Sequence, residues 1–208
     1  MSLRQKGITN RNVLAAIERI PREKFVPTSF YDQAYEDIAL PIGNGQTISQ
    51  PAVVAFMSQK LEPDLKSKVL EIGTGCGYQA AILSKLFRRV YTIERYQDLL
   101  RRAEKLFRKL RLNNIVPLWA DGNQGWPDQA PFDRIILTAG TPSVPDLLFD
   151  QQTENGILIA PVGNSTFNQN LILYKKNGGN ISEEKLWAVR FVPVVSGTVS
   201  DKGDTGRR

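Results

Sequence analysis

The stretch VLEIGTGCGYQAAILSKL, residues 69–86, decides how the chain is read. VLEI is an apolar run of strand length, Gly73, Gly75 and Gly77 fall at every second position after it, and YQAAILSKL carries apolar residues at helical spacing. A strand that turns on glycines into a helix is the opening unit of a parallel α/β sheet, where ligands sit outside the carboxyl ends of the strands near the reversal of strand order. The glycines raise a chemical question: which ligand this turn meets at close range.

Outward from the turn, strand-length apolar runs alternate with helical patterns: VLEI (69–72), a helix over 77–87, VYTI (90–93), a helix over 95–111, IVPLWA (115–120), RIILTA (134–139), a helical turn near 145–152 and ILIAPV (157–162). Such alternation implies crossover connections and a mainly parallel sheet covered on both faces. LILYK (171–175) and WAVRFVPV (187–194) have no helical pattern between them, so the KNGGN segment (176–180) is expected to close a hairpin that makes one edge antiparallel. Before the turn, residues 10–20 have helical spacing with Asn10 as cap and Pro21 as stop. A glycine- and proline-rich loop, 39–51, leads into a helix over 51–61, with Pro51 in its first turn and Ser49 at or just before its cap. The expected organisation is one domain over 1–195, divided into an N-terminal helical and loop cap (1–66) and a ligand-binding sheet (67–195), followed by a loose tail (196–208) with few apolar anchors.

Composition narrows the chemistry. With 208 residues, 41% hydrophobic and 23% charged, the chain can bury a full core without staples. It has one cysteine, Cys76, and no histidine, which removes internal disulfides and His/Cys zinc sites, so no metal is expected. Apolar stretches are too short to cross a bilayer and the N-terminus lacks a secretory apolar region, so a cytoplasmic protein without a membrane partner is expected. The net charge is +6, and much of the surplus lies in one helix over 95–112. Phe107 is the only aromatic interleaved with the basic residues over 101–111, which reads as a solvated face and not a nucleic-acid footprint.

A dinucleotide fingerprint needs a small residue at position 78, where this chain has Tyr78. Glu71, two residues before Gly73, is expected near the mouth, where a carboxylate would repel a pyrophosphate and favour an ammonium or sulfonium. S-adenosylmethionine carries both cations and no phosphate. Glu94, ending the second strand, stands where an acid for ribose hydroxyls is expected; Asp121, after the third, is placed to accept from an adenine amine, with Trp126 beside the ring. Cys76 reads as a small side chain filling the turn.

With these features in view, the sequence resembles the protein-L-isoaspartate (D-aspartate) O-methyltransferases over nearly its whole length except the tail. The resemblance is carried by IPREKFVP (20–27), AYEDIALPIGNGQTISQP (34–51), KVLEIGTGCGYQAAILSKL (68–86), VYTIER (90–95), DGNQGWPDQAPFDRIILTA (121–139), APVG (160–163) and RFVPV (190–194). It implies a Rossmann-like class I methyltransferase, α/β, with a mostly parallel seven-stranded sheet, helices on both faces and an antiparallel edge. It implies methyl transfer from S-adenosylmethionine to the α-carboxylate that isoaspartate exposes in damaged proteins. Thr47, Ile48 and Gln50 match the loop that covers cofactor and substrate, and Ser49 matches its active-site serine. The cofactor site then comprises Glu71, Gly73, Thr74, Gly75 and Gly77 of the turn, Glu94 and Arg95, and Asp121 and Gly122. Isoaspartyl peptides and proteins are the implied substrates, and a monomer is expected. The chain departs from the pattern at Asn155-Gly156, at Gly140 where alanine is frequent, and in NSTFNQ (164–169), a longer polar turn at the substrate rim. Competing readings are a methyltransferase for RNA or a small molecule and a non-catalytic cofactor-binding module. An α-carboxylate has an ordinary pKa near 3.5, so it is already the nucleophile at neutral pH and no enzyme base is needed. Activity is then expected to be flat across about pH 6–8, with Glu71, Glu94 and Asp121 held ionised by their partners.

Overall fold

The computed structural model describes residues 3–200, and the alternation read from the sequence is present in it. The elements are α1 (Arg11–Arg19), β1 (Leu40–Gly43), β2 (Gln46–Ile48), α2 (Pro51–Lys60), β3 (Lys68–Ile72), α3 (Tyr78–Leu83), β4 (Arg89–Glu94), α4 (Gln97–Lys109), β5 (Ile115–Trp119), β6 (Phe132–Leu137), α5 (Asp146–Asp150), β7 (Gln152–Val162), β8 (Gln169–Asn177) and β9 (Asn180–Val189). Seven strands form one sheet in the order β5-β4-β3-β6-β7-β8-β9. β3 pairs in parallel with β4 and β6, while β8 runs antiparallel to both β7 and β9. The chain moves outward from β3 to β5 and then returns to the other side of β3. The switch point therefore lies between β3 and β6, directly beneath the glycine turn. This is the class I methyltransferase arrangement that the resemblance implies.

β3 is buried on both faces because it is central and helices cover each side. Val69 packs into the core with Val90, Ile136 and residues of α1 to α4, while Leu70 and Ile72 point the other way, into a second core with Ile135, Leu137 and Leu148. The 1–66 segment shares the first of these cores through Ile8, Val13, Ile20 and Phe25. Arg22 anchors it: the buried guanidinium donates from Nε to the Ala34 carbonyl at 2.7 Å and lies 4.9 Å from the centre of the Tyr78 ring.

Asn10 caps α1 as expected, accepting from the backbone N–H groups of Asn12 and Val13. α3 is shorter than the expected 77–87, because the Asn114 side chain donates to the carbonyls of Ser84 and Phe87 and satisfies the helix end early. α4 buries Leu99, Leu100, Ala103 and Phe107 and exposes Arg101, Arg102, Lys105, Arg108 and Lys109. The 39–51 segment, read as a loop, contains the β1–β2 hairpin. Its turn holds Asn44 and Gly45 at φ of 52° and 67°, the geometry that an Asn-Gly pair favours.

The last strand differs more. WAVRFVPV was expected to form it over 187–194, but β9 runs from Asn180 to Val189 and the chain then leaves the sheet. Apolar content misled the reading, since Asn180–Lys185 are exposed on both faces and alternation is absent. Residues 190–199 instead form a strap across the carboxyl ends of the strands. Of the tail expected to be loose, Gly197 and Val199 carry backbone hydrogen bonds to Asp121 and Arg95, whereas residues 201–208 lie outside the described residues. No helix among the described residues is long and apolar enough to cross a membrane.

Candidate functional site

Above the switch point lies a cavity lined on one side by the glycine turn and on the other by the strap. The turn has a specific electronic character. The N–H groups of Gly73 and Thr74 both donate to the Ile93 carbonyl, at 2.9 and 3.0 Å, that of Gly77 to the Thr74 carbonyl, and that of Gly75 to Glu94 at 2.8 Å. A phosphate cradle presents its amides to the ligand. Here four of them are spent inside the protein, so the turn gives close approach without anion binding. Gly77 occupies the left-handed region at φ 88°, where it begins α3, and a Cβ there would fall 2.6 Å from the Phe107 ring of α4. This explains why the third small residue stands at 77 and not 78: the turn packs on α4 through Gly77 while Tyr78 points into the core beside Phe25.

Of the expected site residues, Thr47, Ile48, Ser49, Gly73, Thr74, Gly75, Glu94, Arg95 and Gly122 line this cavity. Glu94 is the main polar feature. Its carboxylate is nearly buried, with one oxygen accepting from Gly75 N and the other from Tyr96 N at 2.9 Å. Burial raises its pKa, opposed by the amides of Tyr96 and Gly75. Both oxygens keep lone pairs for a further donor.

Four expected residues are elsewhere. Gln50 borders a second hollow. Gly77 sits behind the turn. Asp121 lies at the lip, and its carboxylate is engaged by the N–H groups of Asn123 and Gly197. Glu71 differs most: it is fully buried under the turn, not at the mouth, and accepts from the Thr92 hydroxyl at 2.5 Å, while Thr74 and Thr92 share a hydrogen bond above it. Desolvation pushes its pKa up to about 8. The expectation that cationic or hydroxyl partners keep it ionised is not met: the Thr92 hydroxyl does oppose the rise, but desolvation outweighs it and no cation among the described residues bonds to it, so the preference against pyrophosphate rests on the internally bonded turn instead. Trp126, expected beside a ring in the cavity, packs edge-on against Tyr91 in the second core. Cys76 lines the turn, its thiol pushed up to about 11 by burial, as suits a neutral filler.

The sequence reading missed the strap. Phe191 to Val195 form the outer wall of the cavity, after a segment that only looked like a strand. Gln169 fastens the strap's start, its amide oxygen accepting from Phe191 N at 2.7 Å and its nitrogen donating to the Phe191 carbonyl. A Cβ at Gly140 would stand 2.1 Å from that nitrogen, so the Gly140 departure and Gln169 are one feature. At the far end, Arg95 donates to the carbonyls of Ser196 and Gly197.

The second hollow is bordered by Lys6, Asp37, Phe167, Trp187 and Arg190, and it shares Thr47, Ser49, Thr138, Phe191 and Val192 with the first. Ser49 thus stands where the two meet. Its competing role, capping α2, is filled otherwise: Gln50 is the N-cap residue without a side-chain bond, and the Asp37 carboxylate accepts from Ala52 N at 2.9 Å. The Thr138 hydroxyl is engaged by the carbonyls of Ile72 and Gly73. Ser49 and Thr47 have no hydrogen-bonding partner for their hydroxyls among the described residues.

A family model described as protein-L-isoaspartate(D-aspartate) O-methyltransferase matches residues 1–199. The chain is 56% identical over 197 residues to a protein-L-isoaspartate O-methyltransferase of Maricaulis maris, covering 95% of this chain and 92% of that one. It is 53% identical to the protein of that name from Parvibaculum lavamentivorans, covering 97% and 91%. A solved structure of a protein-L-isoaspartate O-methyltransferase superposes with a TM-score of 0.85 at 29% identity, over 96% of this chain and 65% of that one. A Plasmodium falciparum structure, titled a putative member in complex with S-adenosyl-L-homocysteine, shares the fold with a TM-score of 0.79 at 24% identity, over 93% and 94%.

Proposed function

The chain belongs to the protein-L-isoaspartate(D-aspartate) O-methyltransferase family and is an S-adenosylmethionine-dependent methyltransferase of isoaspartyl residues in damaged proteins; from that premise we propose how its own residues do the work. The cavity between turn and strap is the cofactor side. Glu94 offers acceptors suited to two ribose hydroxyls, the inward-bonded turn suits a ligand without phosphate, and the close backbone of residues 73–75 admits a bulky chain. When bound there, S-adenosylmethionine supplies a methyl group activated by a sulfonium. The second hollow is the peptide side.

The observation that carries this reading is the unpartnered Ser49 hydroxyl at the junction of the two. Ser49 donates a hydrogen bond to one oxygen of the isoaspartyl α-carboxylate and so aims the other toward the cofactor cavity. It stays non-covalent and takes no proton, since the carboxylate is already ionised. The residues therefore contribute position and exclusion of water, which together supply the advantage of pre-oriented reactants. Phe191 and Val192 bring apolar surface to the junction, and a drier junction strengthens attraction between an anion and a cation. The methyl ester produced closes to a succinimide as the following amide nitrogen displaces methanol, and water reopens that ring partly to normal aspartate. The cytoplasmic, monomeric setting belongs to the same proposal.

Ser49→Ala tests it. Loss of a hydrogen bond to a charged group is worth about 1.5–3 kcal/mol, so kcat on an isoaspartyl peptide should fall about 10- to 100-fold. Melting temperature should stay near that of the parent, because Asp37 and not Ser49 serves α2. Unchanged turnover per folded molecule would remove Ser49 from the reaction.

A further inference from the structure

The peptide-side hollow has an uneven charge. Its charged lining consists of Lys6, Asp37 and Arg190. Lys6 is neutralised by Asp37 at 2.5 Å. Arg190 has no carboxylate partner among the described residues. It is the first residue after β9, and its guanidinium carbon lies 5.2 Å from the ring centre of Phe167. Phe167 belongs to the long polar turn between β7 and β8 and is 80% exposed. An exposed phenyl in a polar turn is unexplained by packing, and it has a use here: a guanidinium held over a ring face keeps its edge N–H groups free for a planar carboxylate.

We propose that Arg190, backed by Phe167, selects isoaspartyl substrates that carry an acidic side chain beside the damaged residue. The inference rests on the reading of this hollow as the peptide side. The α-carboxylate that accepts the methyl group is assigned to Ser49 at the junction, and Arg190 borders only the outer hollow, so the acid it meets is a second one, on a neighbouring residue. Lys6 cannot play this part while Asp37 holds it.

The test is a set of isoaspartyl peptides that differ only in having Glu, Ala or Lys within two residues on either side of the isoaspartate. An exposed charge pair contributes up to about 1 kcal/mol, so in the parent KM should fall about 2- to 5-fold from Ala to Glu at one or more positions, with kcat unchanged. KM should rise for Lys, and the spread should shrink in high salt. Arg190→Gln should bring the three KM values together, Arg190→Lys should restore part of the spread, and Phe167→Ala should narrow it. A parent indifferent to flanking charge, or the same spread in Arg190→Gln, would overturn the inference. Methylation of none of the peptides would instead overturn the isoaspartyl reading itself.

Discussion

The two walls of the cofactor cavity are built in opposite ways. The inner wall, residues 73–77 with Glu94, comes from adjacent sequence and is closed on itself: its amides bond inward and the carboxylate of Glu94 is almost fully buried. The outer wall, residues 191–199, arrives about a hundred residues later and is held by a few bonds at each end, Gln169 and Gly140 at one and Asp121, Arg95 and Tyr96 at the other. Its far clasp is exposed, and Val195 and Val199 are partly in solvent. Segments with exposed hydrogen bonds and few buried contacts open at low cost, whereas buried ones open only with the fold. The inner wall should therefore set how tightly the cofactor is held, and the outer wall how quickly it exchanges.

The largest effect expected from this contrast is at Glu94. Glu94→Ala removes the acceptor of the ribose hydroxyls, a loss of about 1.5–3 kcal/mol, so the Kd of S-adenosylhomocysteine measured by calorimetry should rise about 10- to 100-fold. Glu94→Gln, which keeps an oxygen for Gly75 or Tyr96, should fall between. A Kd that does not move in either variant would mean that affinity resides elsewhere.

A smaller effect of another kind is expected at the clasp. Asp121→Ala frees Gly197 N, one net hydrogen bond of about 0.5–1.5 kcal/mol, so association and dissociation rates of S-adenosylhomocysteine should both rise about 2- to 10-fold. Because the clasp bonds strap to protein and not to the ligand, Kd should change far less than the rates. Stopped-flow fluorescence would separate the two. If Asp121→Ala raised Kd as much as Glu94→Ala, the contrast between the walls would be lost and Asp121 would touch the cofactor after all.

The same contrast explains what could be read from sequence. The turn's inward amide bonds reach no farther than Ile93 and Glu94, about twenty residues on, and glycine spacing, apolar runs and a strand-ending acid declare the turn, β4 and Glu94 directly. The strap depends on partners far away. Nothing near Phe191 announces that Gln169 will bind it or that residue 140 must be small, and an apolar run interrupted by Pro193 resembles a strand until its pairing partner is known. Glu71 shows the remaining difficulty: its place before the glycines was legible, but its depth was not, since helices on both faces and Thr92 beside it decide its burial. Likewise Asp121 was correctly placed after the third strand, yet its carboxylate bonds a segment whose path no local pattern predicts.

The two walls also carry acids of opposite pH behaviour, and a pH series tests that. At the clasp, the amides of Gly197 and Asn123 outweigh a desolvation push upward and hold Asp121 below its usual value of 3.8, so what it contributes is present above that pH and lost in acid. Glu71 has the reverse sign. Unfolded, it ionises near 4.5; folded, desolvation keeps its proton up to about 8. Below 4.5 both states are protonated and pH has no effect through this group. Between 4.5 and 8 the unfolded chain releases a proton that the folded chain retains, so each step upward in pH favours unfolding, and above 8 the penalty is complete. Glu71→Gln keeps an oxygen for the Thr92 hydroxyl and removes the titration. The melting temperature of the variant relative to the parent should therefore grow by several degrees from pH 5 to pH 8 and then level off. Activity should follow: the flat region expected from a carboxylate nucleophile should hold from about pH 6 to 7, bend near 8 in the parent as charge appears beneath the turn, and extend in Glu71→Gln. A constant difference in melting temperature across that range would mean that Glu71 is ionised in the folded protein, and the turn would then rest on a buried negative charge, with the ionisation expected from the sequence but not the position.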